Sequence, residues 1–429
     1  LQSQWYVSMS ADGYYRLDGG LLSLPTTPQN NSHRIGCGGA TYGLLHVSGG
    51  TLALPKPVWS VDGNVLIGFG TITASAAARS EVYLSGGTVS VPDRAVALAG
   101  WTTQTSGTVA HEAVLTVDGD AVLTGRNIGL GNTASPAVRA TLNLNGGLVD
   151  LSYYLSRWGG ANNQAAVNFN GGTLRWRPGV PVSPISGISN ITVFARGGTI
   201  DAGASFRTEA SFRTAKGYGV GAITVSNPGS GYGAAPRVVI AGGSGSNATA
   251  VAVMSRTGTV ERVAVTCPGE GYAPADVLSV SFVVPSSGVG YGGGAQAGVT
   301  LAAQGTATFT KKGEHTWTVA ETNGFDGFFK VAEGYLTLAE NAALPALNSL
   351  VLAGGTFTGQ AGIDDAVNAG ATLRVTGGNG TSAYRMMHPV TAGNTNVQRF
   401  AMLEASRGFG VLSSANSADG VAEMLFSGY

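Results

Sequence analysis

Carboxylates, histidines and cysteines are the residues of this chain that could do chemistry, and their spacing forms no catalytic or metal-binding pattern. Glycan cleavage needs two carboxyl groups facing one bond, and calcium needs several oxygen ligands together. The carboxylates here are scattered, and Asp364-Asp365, in a predicted turn, is the only adjacent pair. His111-Glu112 lacks the second histidine of the HExxH zinc motif. We therefore predict a protein that is not an enzyme, with no catalytic residue, no metal site and no cofactor.

The histidines also lack metal-ligand spacing; they are His33, His46, His111, His315 and His388. His46 falls in a column of outward-facing strand positions that we predict to be solvated: Arg16, His46, Tyr83, Thr116, Asn143 and Asn168. Residues 288–293, GVGYGG, match the GxGxxG fingerprint. No strand–helix–strand unit surrounds them, so we interpret the match as chance in a glycine-rich chain.

The two cysteines, Cys37 and Cys267, are too few for a disulfide framework. Cys37 lies two residues after Ile35, so in a strand both side chains would point to the same face. Phe69 and Leu130 occupy its position in other repeats, so we predict a buried thiol that packs as a small apolar residue. Cys267 precedes a Pro-Gly turn, and we expect it to be more exposed. A bond between Cys37 of one chain and Cys267 of another, joining molecules end to end, is the alternative to two free thiols.

The composition is that of a secreted all-β protein. Glycine supplies 67 of 429 residues, charged residues are only 11%, and the net charge is zero. No basic stripe with interleaved aromatics occurs, so we predict no binding to nucleic acid. No run of 18 apolar residues occurs, so we predict no membrane span. These features favour an extracellular or cell-surface protein.

A Gly-Gly phrase, as in VSGGTLAL, recurs along the first half of the chain at intervals of about 25 to 37 residues. Its first glycines are Gly19, Gly49, Gly86, Gly119, Gly146, Gly171 and Gly197. Apolar and polar residues alternate on both sides of the pair, which predicts strands with one buried face. The residue before the pair predicts a stack of turn-capping groups: Asp18, Ser48, Ser85, Asp118, Asn145 and Asn170.

A third element keeps the same period. The segments RIGCGG, LIGFGT and NIGLGN place Ile35, Ile67 and Ile128 at matching points, with Leu98 as a degenerate copy between them. Each repeat of about 25–35 residues therefore holds three short strands. Three strands per repeat, with like residues stacked on like, predict a parallel β-helix, or solenoid. A propeller blade needs about 40 residues.

The phrases resemble a known family. Residues 64–92, NVLIGFGTITASAAARSEVYLSGGTVSVP, and residues 332–359 are similar to bacterial autotransporter-associated β-strand repeats, and the similarity covers about 1–200 and 301–375. The resemblance implies a right-handed parallel β-helix in a large secreted or surface-anchored protein.

We expect four regions along the chain. Residues 1–216 form β-helix repeats with Gly-Gly phrases. Residues 217–300 form an inserted all-β module, because ITVSNPGSGYGAAPRVVI returns further along as VAVTCPGEGYAPADVLSV; these copies resemble the Gly-Tyr repeats of bacterial and phage surface proteins. Residues 301–379 continue the solenoid, with an aromatic-rich stretch from Phe309 to Phe329. Residues 380–429 form a C-terminal cap or interface.

The sequence favours a structural function. The first hypothesis is an extracellular β-solenoid that self-associates end to end into a surface layer, stalk or fibre, because heterologous contacts propagate as open fibres. The alternative is an adhesin that binds a glycan or another cell surface, for which the aromatic residues and the inserted module argue. A glycan-cleaving β-helix enzyme is the third hypothesis and rests on fold analogy.

Overall fold

The computed structural model describes residues 13–23, 33–35, 42–54, 65–67, 79–99, 111–131, 138–159, 163–179, 183–188, 190–284, 292–359, 363–377, 381–386, 395–406, 410–414 and 421–428. Every regular element in these ranges is a β-strand. Cys37, Phe69 and His388 lie outside the described residues, and so do the side chains of His33 and His111.

The strands are numbered in chain order. The first nineteen are β1 (Gly13–Leu17), β2 (Leu21–Ser23), β3 (His33–Ile35), β4 (Tyr42–Val47), β5 (Thr51–Ala53), β6 (Val65–Ile67), β7 (Arg79–Leu84), β8 (Thr88–Leu98), β9 (His111–Val117), β10 (Val122–Leu130), β11 (Val138–Leu144), β12 (Leu148–Leu151), β13 (Leu155–Arg157), β14 (Gln164–Phe169), β15 (Thr173–Trp176), β16 (Ile185–Ser186), β17 (Asn190–Val193), β18 (Gly198–Ala202) and β19 (Phe206–Thr208). The others are β20 (Phe212–Thr214), β21 (Tyr218–Ser230), β22 (Arg237–Gly242), β23 (Thr249–Met254), β24 (Val260–Cys267), β25 (Leu278–Val283), β26 (Gly293–Ala303), β27 (Thr308–Lys312), β28 (Thr316–Val319), β29 (Phe328–Val331), β30 (Tyr335–Leu338), β31 (Ser349–Leu352), β32 (Thr356–Gly359), β33 (Thr372–Val375), β34 (Ser382–Met386), β35 (Thr395–Phe400), β36 (Met402–Ala405), β37 (Gly410–Ser414) and β38 (Val421–Phe426).

The chain divides into two compact units. The first unit comprises Leu1–Asp150, Leu155–Gly172 and Ala215–Gly305. The second unit comprises Leu151–Tyr154, Thr173–Thr214 and Thr306–Tyr429.

In the first unit, the strands before each Gly-Gly phrase form one parallel row, called row A: β1, β4, β7, β9, β11 and β14. The register from each strand to the next advances by the same interval as the phrases do. The inward positions therefore stack like on like in the order Leu17, Val47, Leu84, Val117, Leu144 and Phe169. Alternation with period two buries one face of the whole row.

Two further parallel rows complete each repeat of the first unit. Row B runs through β2, β5 and the first halves of β8 and β10; row C runs through β3, β6, the second halves of β8 and β10, and β13. The predicted alignment of Leu98 with Ile67 is confirmed, but its alignment with Ile128 is wrong. Leu98 pairs with Leu130, and Ile128 pairs with Val96. The shift by two positions keeps the same face inward, so alternation alone could not detect it.

The Gly-Gly turns are shaped by close approach between repeats. Gly50 and Gly87 have φ of 75° and 72°, a region that side chains disfavour. A Cβ on Gly87 would lie 2.5 Å from the carbonyl oxygen of Gly50 in the preceding repeat. The phrase therefore recurs because only glycine allows the turns to stack this closely.

The second unit continues the parallel pairing with shorter repeats. One row runs β15, β18, β27, β29, β31, β33 and β36, and the other runs β16, β19, β28, β30, β32, β34 and β37. From β27 onward the first row pairs in the order Phe309, Phe329, Leu350, Leu373 and Leu403. The first three of these steps are shorter than the predicted length of 25–35, so that prediction is wrong for this part of the row. The repeats of this unit also have a third group of backbone pairings. Early in the unit it consists of paired strands, β17 with β20, and later it includes an isolated bridge between Leu344 and Val367.

The Gly-Tyr repeats form an antiparallel module, Tyr218–Ala303. Strands β21 and β26 pair along their length, and β24, β23, β22 and β25 form a four-stranded sheet in that order. Tyr232 and Tyr272, the tyrosines of the two copies, are both 6% exposed. The fold is thus all-β, with solenoid-like parallel rows in each unit and an antiparallel insertion.

Candidate functional site

Row A presents most of its outward side chains to the Gly-Tyr module and not to solvent, with Arg16 and Asn168 at the ends only partly buried. We call these side chains the covered strip: Arg16, His46, Tyr83, Thr116, Asn143 and Asn168. His46 is 1% exposed, Tyr83 2%, Thr116 1% and Asn143 0%. The prediction of a solvated strand face is therefore wrong. The cause is the insertion, which sequence neighbours do not reveal.

An apolar cluster joins the module to row A. Tyr42, Leu44 and Tyr83 of row A are buried in one cluster with the core of the module, and Tyr14 packs against it. The strands of the module in this cluster include β23 and β24. Burial of this apolar and aromatic surface favours the contact.

His46 lies in the middle of this contact. Its ring stacks on Tyr83 at 5.1 Å, its Nε2 lies 2.9 Å from the Ser85 hydroxyl, and its Nδ1 lies 3.5 Å from the Tyr14 hydroxyl. Burial, followed by the positive charges of Arg16 and Arg262, lowers the pKa of His46 to about 4. The imidazole is therefore neutral at pH 7.

Amide groups tie the other part of row A to the module. The Asn145 side-chain amide donates to the Thr266 carbonyl oxygen at 2.9 Å. Within the covered strip, Asn168 donates to the Asn143 amide oxygen at 2.8 Å, and Asn143 donates to the Thr116 hydroxyl at 3.1 Å. These bonds satisfy polar groups that the module removes from water.

Cys267 belongs to the same contact. It is 3% exposed, and its Sγ lies 3.6 Å from the Asn168 amide nitrogen. Burial raises the pKa of the thiol to about 12, so Cys267 is a protonated, neutral thiol at pH 7. The expectation that Cys267 is more exposed is wrong. A buried Cys267 also argues against the bond to Cys37 of another molecule.

The opposite end of the covered strip is charged. Arg16 donates to the Met254 carbonyl oxygen and forms an ion pair with Asp18. Arg256 of the module lies 3.5 Å from Asp18, and Glu261 lies 4.0 Å from Arg16. Because these ion pairs are partly exposed to water, they help to orient the module on row A and add little to the stability of the contact.

Carboxylates do gather at one place on row A. Arg79 binds Glu81 at 2.6 Å and Glu112 at 2.8 Å, and the Tyr42 hydroxyl donates to Glu81 at 2.7 Å. Burial, followed by the charge of Glu81, raises the pKa of Tyr42 well above its usual value. Residues 81 and 112 belong to successive repeats, so the scattered carboxylates of the sequence meet through the register. Both are held by arginine and form an internal ion-pair network.

The residues before the Gly-Gly turns share one column but not one role. Asp118 accepts from the amide of Gly119 at 2.8 Å, as a turn cap does, and Ser48 donates to Asp18 at 2.6 Å. Ser85 bonds to His46, and Asn145 reaches the module instead.

Asp364 and Asp365 lie in a turn, and both anchor the following strand β35. Asp364 accepts from the amide of Val397 at 2.8 Å, and Asp365 accepts from the amide of Arg399 at 2.7 Å. Asp365 also pairs with the Arg399 guanidinium at 2.7 Å.

Two features of the second unit concern buried groups. Phe309, Trp317, Phe325 and Phe329 are fully buried, so most of the aromatic stretch belongs to the core and not to a surface. Lys311, in the same strand as Phe309, also points inward and is 0% exposed. Its Nζ donates to the carbonyl oxygens of Gly313 and Glu333, and burial lowers its pKa to about 8.

The described residues contain no group of three His, Cys, Asp or Glu side chains that could hold a metal ion. His315, the only other histidine with a described side chain, is exposed. No helix among the described residues is long and apolar enough to cross a membrane.

Sequence reasoning missed the buried lysine and the Arg79 network. Lys311 lies two residues after Phe309 in an alternating strand, so the sequence indicated that its side chain faces the core. The register that brings Arg79 opposite Glu112 in the next repeat was the signal for the second.

No family model matches the chain, and no curated protein or solved structure matches it significantly.

Proposed function

We propose that this chain is a non-enzymatic structural β-solenoid, built as a right-handed parallel β-helix, that serves outside the cell in a surface layer, stalk or fibre. The parallel rows, which stay in register while the loops between them change length, carry the proposal. Such rows gain stability from each added repeat and need no ligand. The resemblance to autotransporter-associated repeats and the low charge favour the extracellular location.

End-to-end association is the second part of the proposal. Among the described strands, β36 pairs with β33, β37 with β34 and β38 with β35, each on one side. Val411 and Leu412 are 39% and 38% exposed, whereas their partners Ala383 and Tyr384 are 3% and 1% exposed. An unpaired strand edge with exposed apolar residues favours addition of another strand.

The other two hypotheses have less support. The adhesin hypothesis relied on exposed aromatics, and most of the aromatic stretch is buried. An enzyme would need free carboxylates on one face, and Glu81 and Glu112 are both bound to Arg79.

Negative-stain electron microscopy at several concentrations tests the proposal. We expect filaments from the native chain, and isolated particles from Leu412→Glu, which places a charge on the exposed edge. Tyr335→Glu is the matched control, because Tyr335 is 45% exposed in β30, a strand that is paired on both sides with β28 and β32. The Tyr335→Glu variant should still form filaments. A native chain that stays isolated at every concentration, or a Leu412→Glu variant that assembles normally, would refute the association.

A further inference from the structure

The covered strip and the module meet through a contact that depends on one buried titratable ring. We propose that the module is an acid-released latch: it covers the strip while His46 is neutral and lifts from it when His46 takes up a proton.

A positive charge on His46 would be shielded from water. His46 is 1% exposed and lies between Tyr14 and Tyr83, both of which pack against the module. The charged and titratable groups around it are Tyr14, Arg16 and Asp18 from the first repeat, Tyr83 from the third, and Arg256, Glu261 and Arg262 from the module. Protonation adds a third cation between Arg16 and Arg262. Asp18 offsets it only partly, because Asp18 is already paired with Arg16.

The module can lift without unfolding. Its two antiparallel sheets are internal, so their hydrogen bonds do not depend on row A. Its two connectors meet at one point, where the backbone amide of Gln304 donates to the carbonyl oxygen of Gly217 at 2.9 Å. Gly217 and Gly305 adopt φ of 68° and 55° there, and such glycines suit a hinge.

Opening of the contact must expose its apolar cluster to water, whereas its polar bonds are readily exchanged for bonds to water. Its direct polar bonds include those from Asn145 to Thr266 and from Arg16 to Met254, and water can replace both when the module lifts. Opening would expose a strip of tyrosine, hydroxyl and amide groups that is hidden at neutral pH.

The size of the effect follows from proton linkage. His46 binds its proton near pH 4 when covered and near pH 6.5, its ordinary value, when open. The ratio of open to closed molecules therefore rises by about 30-fold between pH 7.5 and pH 5. The sign is fixed: acid opens the latch, because the open state holds more protons.

Hydroxyl-radical footprinting with mass spectrometry tests the latch, because it reports side-chain exposure. Tyr42, Tyr83 and Met254 are buried in the contact at 2–3% exposure. We expect their oxidation rates to rise together by up to about 30-fold from pH 7.5 to pH 5. Phe169, in the core of row A, should stay protected. No rise, or an equal rise at Phe169, overturns the proposal, since the latter would mean general unfolding.

Two variants separate the latch from other acid effects. His46→Gln keeps a polar side chain that cannot be protonated, and we expect it to abolish the rise. Asn168→Cys places a thiol beside Cys267, whose Sγ lies 3.6 Å from the present amide nitrogen. Oxidising this pair should hold the module down and abolish the rise, and reduction should restore it. Persistence of the rise in His46→Gln, or in the oxidised Asn168→Cys variant, overturns the latch.

Discussion

Replacing Lys311 with methionine should stabilise the protein at neutral pH. Lys311 is 0% exposed and occupies an inward position whose neighbours in the row are Ile200 and Val331. Methionine has a similar length and no charge, so it fills the same space without burying an ammonium group. The only compensation that the lysine has among described groups is two carbonyl oxygens, with Glu333 and Asp201 as nearby negative charges.

The magnitude follows from the lowered pKa. Each pKa unit corresponds to about 1.4 kcal/mol. Lowering the pKa from 10.5 to about 8 therefore makes the buried ammonium about 3 kcal/mol less stable than in the unfolded chain. The variant also loses two hydrogen bonds, each worth about 1 kcal/mol. The net gain in the free energy of unfolding at pH 7 should be about 1–3 kcal/mol.

The gain should depend on pH in a defined window. Below pH 8 the lysine is charged in both states, so the full cost is present. Between about pH 8 and 10.5 the unfolded chain holds more protons than the folded protein, so the stability of the native chain rises with pH. The advantage of Lys311→Met should shrink over this range and turn into a loss of up to about 2 kcal/mol above it, because the two lost hydrogen bonds then remain.

Urea unfolding followed by tryptophan fluorescence, repeated from about pH 7 to pH 10.5, measures this difference. The matched control is Lys312→Met, because the adjacent Lys312 is exposed; it should change stability by less than about 0.5 kcal/mol. A Lys311→Met variant that is less stable at pH 7, or a gain that does not change with pH, would refute the reasoning.

Two further predictions concern the first unit. Gly87→Ala should lower the free energy of unfolding by about 1–3 kcal/mol, because it strains a positive φ and its Cβ would lie 2.5 Å from the Gly50 carbonyl oxygen. Gly19→Ala is the control in the same assay, since no atom lies within 4 Å of its added Cβ; equal losses would contradict the stacking argument. Tyr42→Phe should cost about 1–3 kcal/mol in urea unfolding, because Glu81 loses a buried donor. Tyr335→Phe, at an exposed site, should cost almost nothing, and a neutral Tyr42→Phe would mean that the hydroxyl bond contributes little.

The parallel rows were predictable because their cause is local. Alternation sets which side chains face inward, and the Gly-Gly pair marks where each strand ends. The register of Leu17, Val47 and Leu84 therefore follows the spacing of the phrases. Ile128 and Leu130 both face inward, so the alternation of apolar residues could not predict which of the two pairs with Leu98.

The sequence by itself determined that the chain is all-β, that its strands repeat, and which residues of each strand face inward. The tertiary structure alone decided what covers the outward face. His46 and Cys267 lie far apart in the chain, and neither carries a local pattern that indicates the module. Whether an outward-facing residue is buried depends on a partner distant in the sequence, whereas the alternation of apolar residues shows only which side chains face the core of the row. For that reason the rows could be read from the residues, and the covered strip, with its neutral histidine, could not.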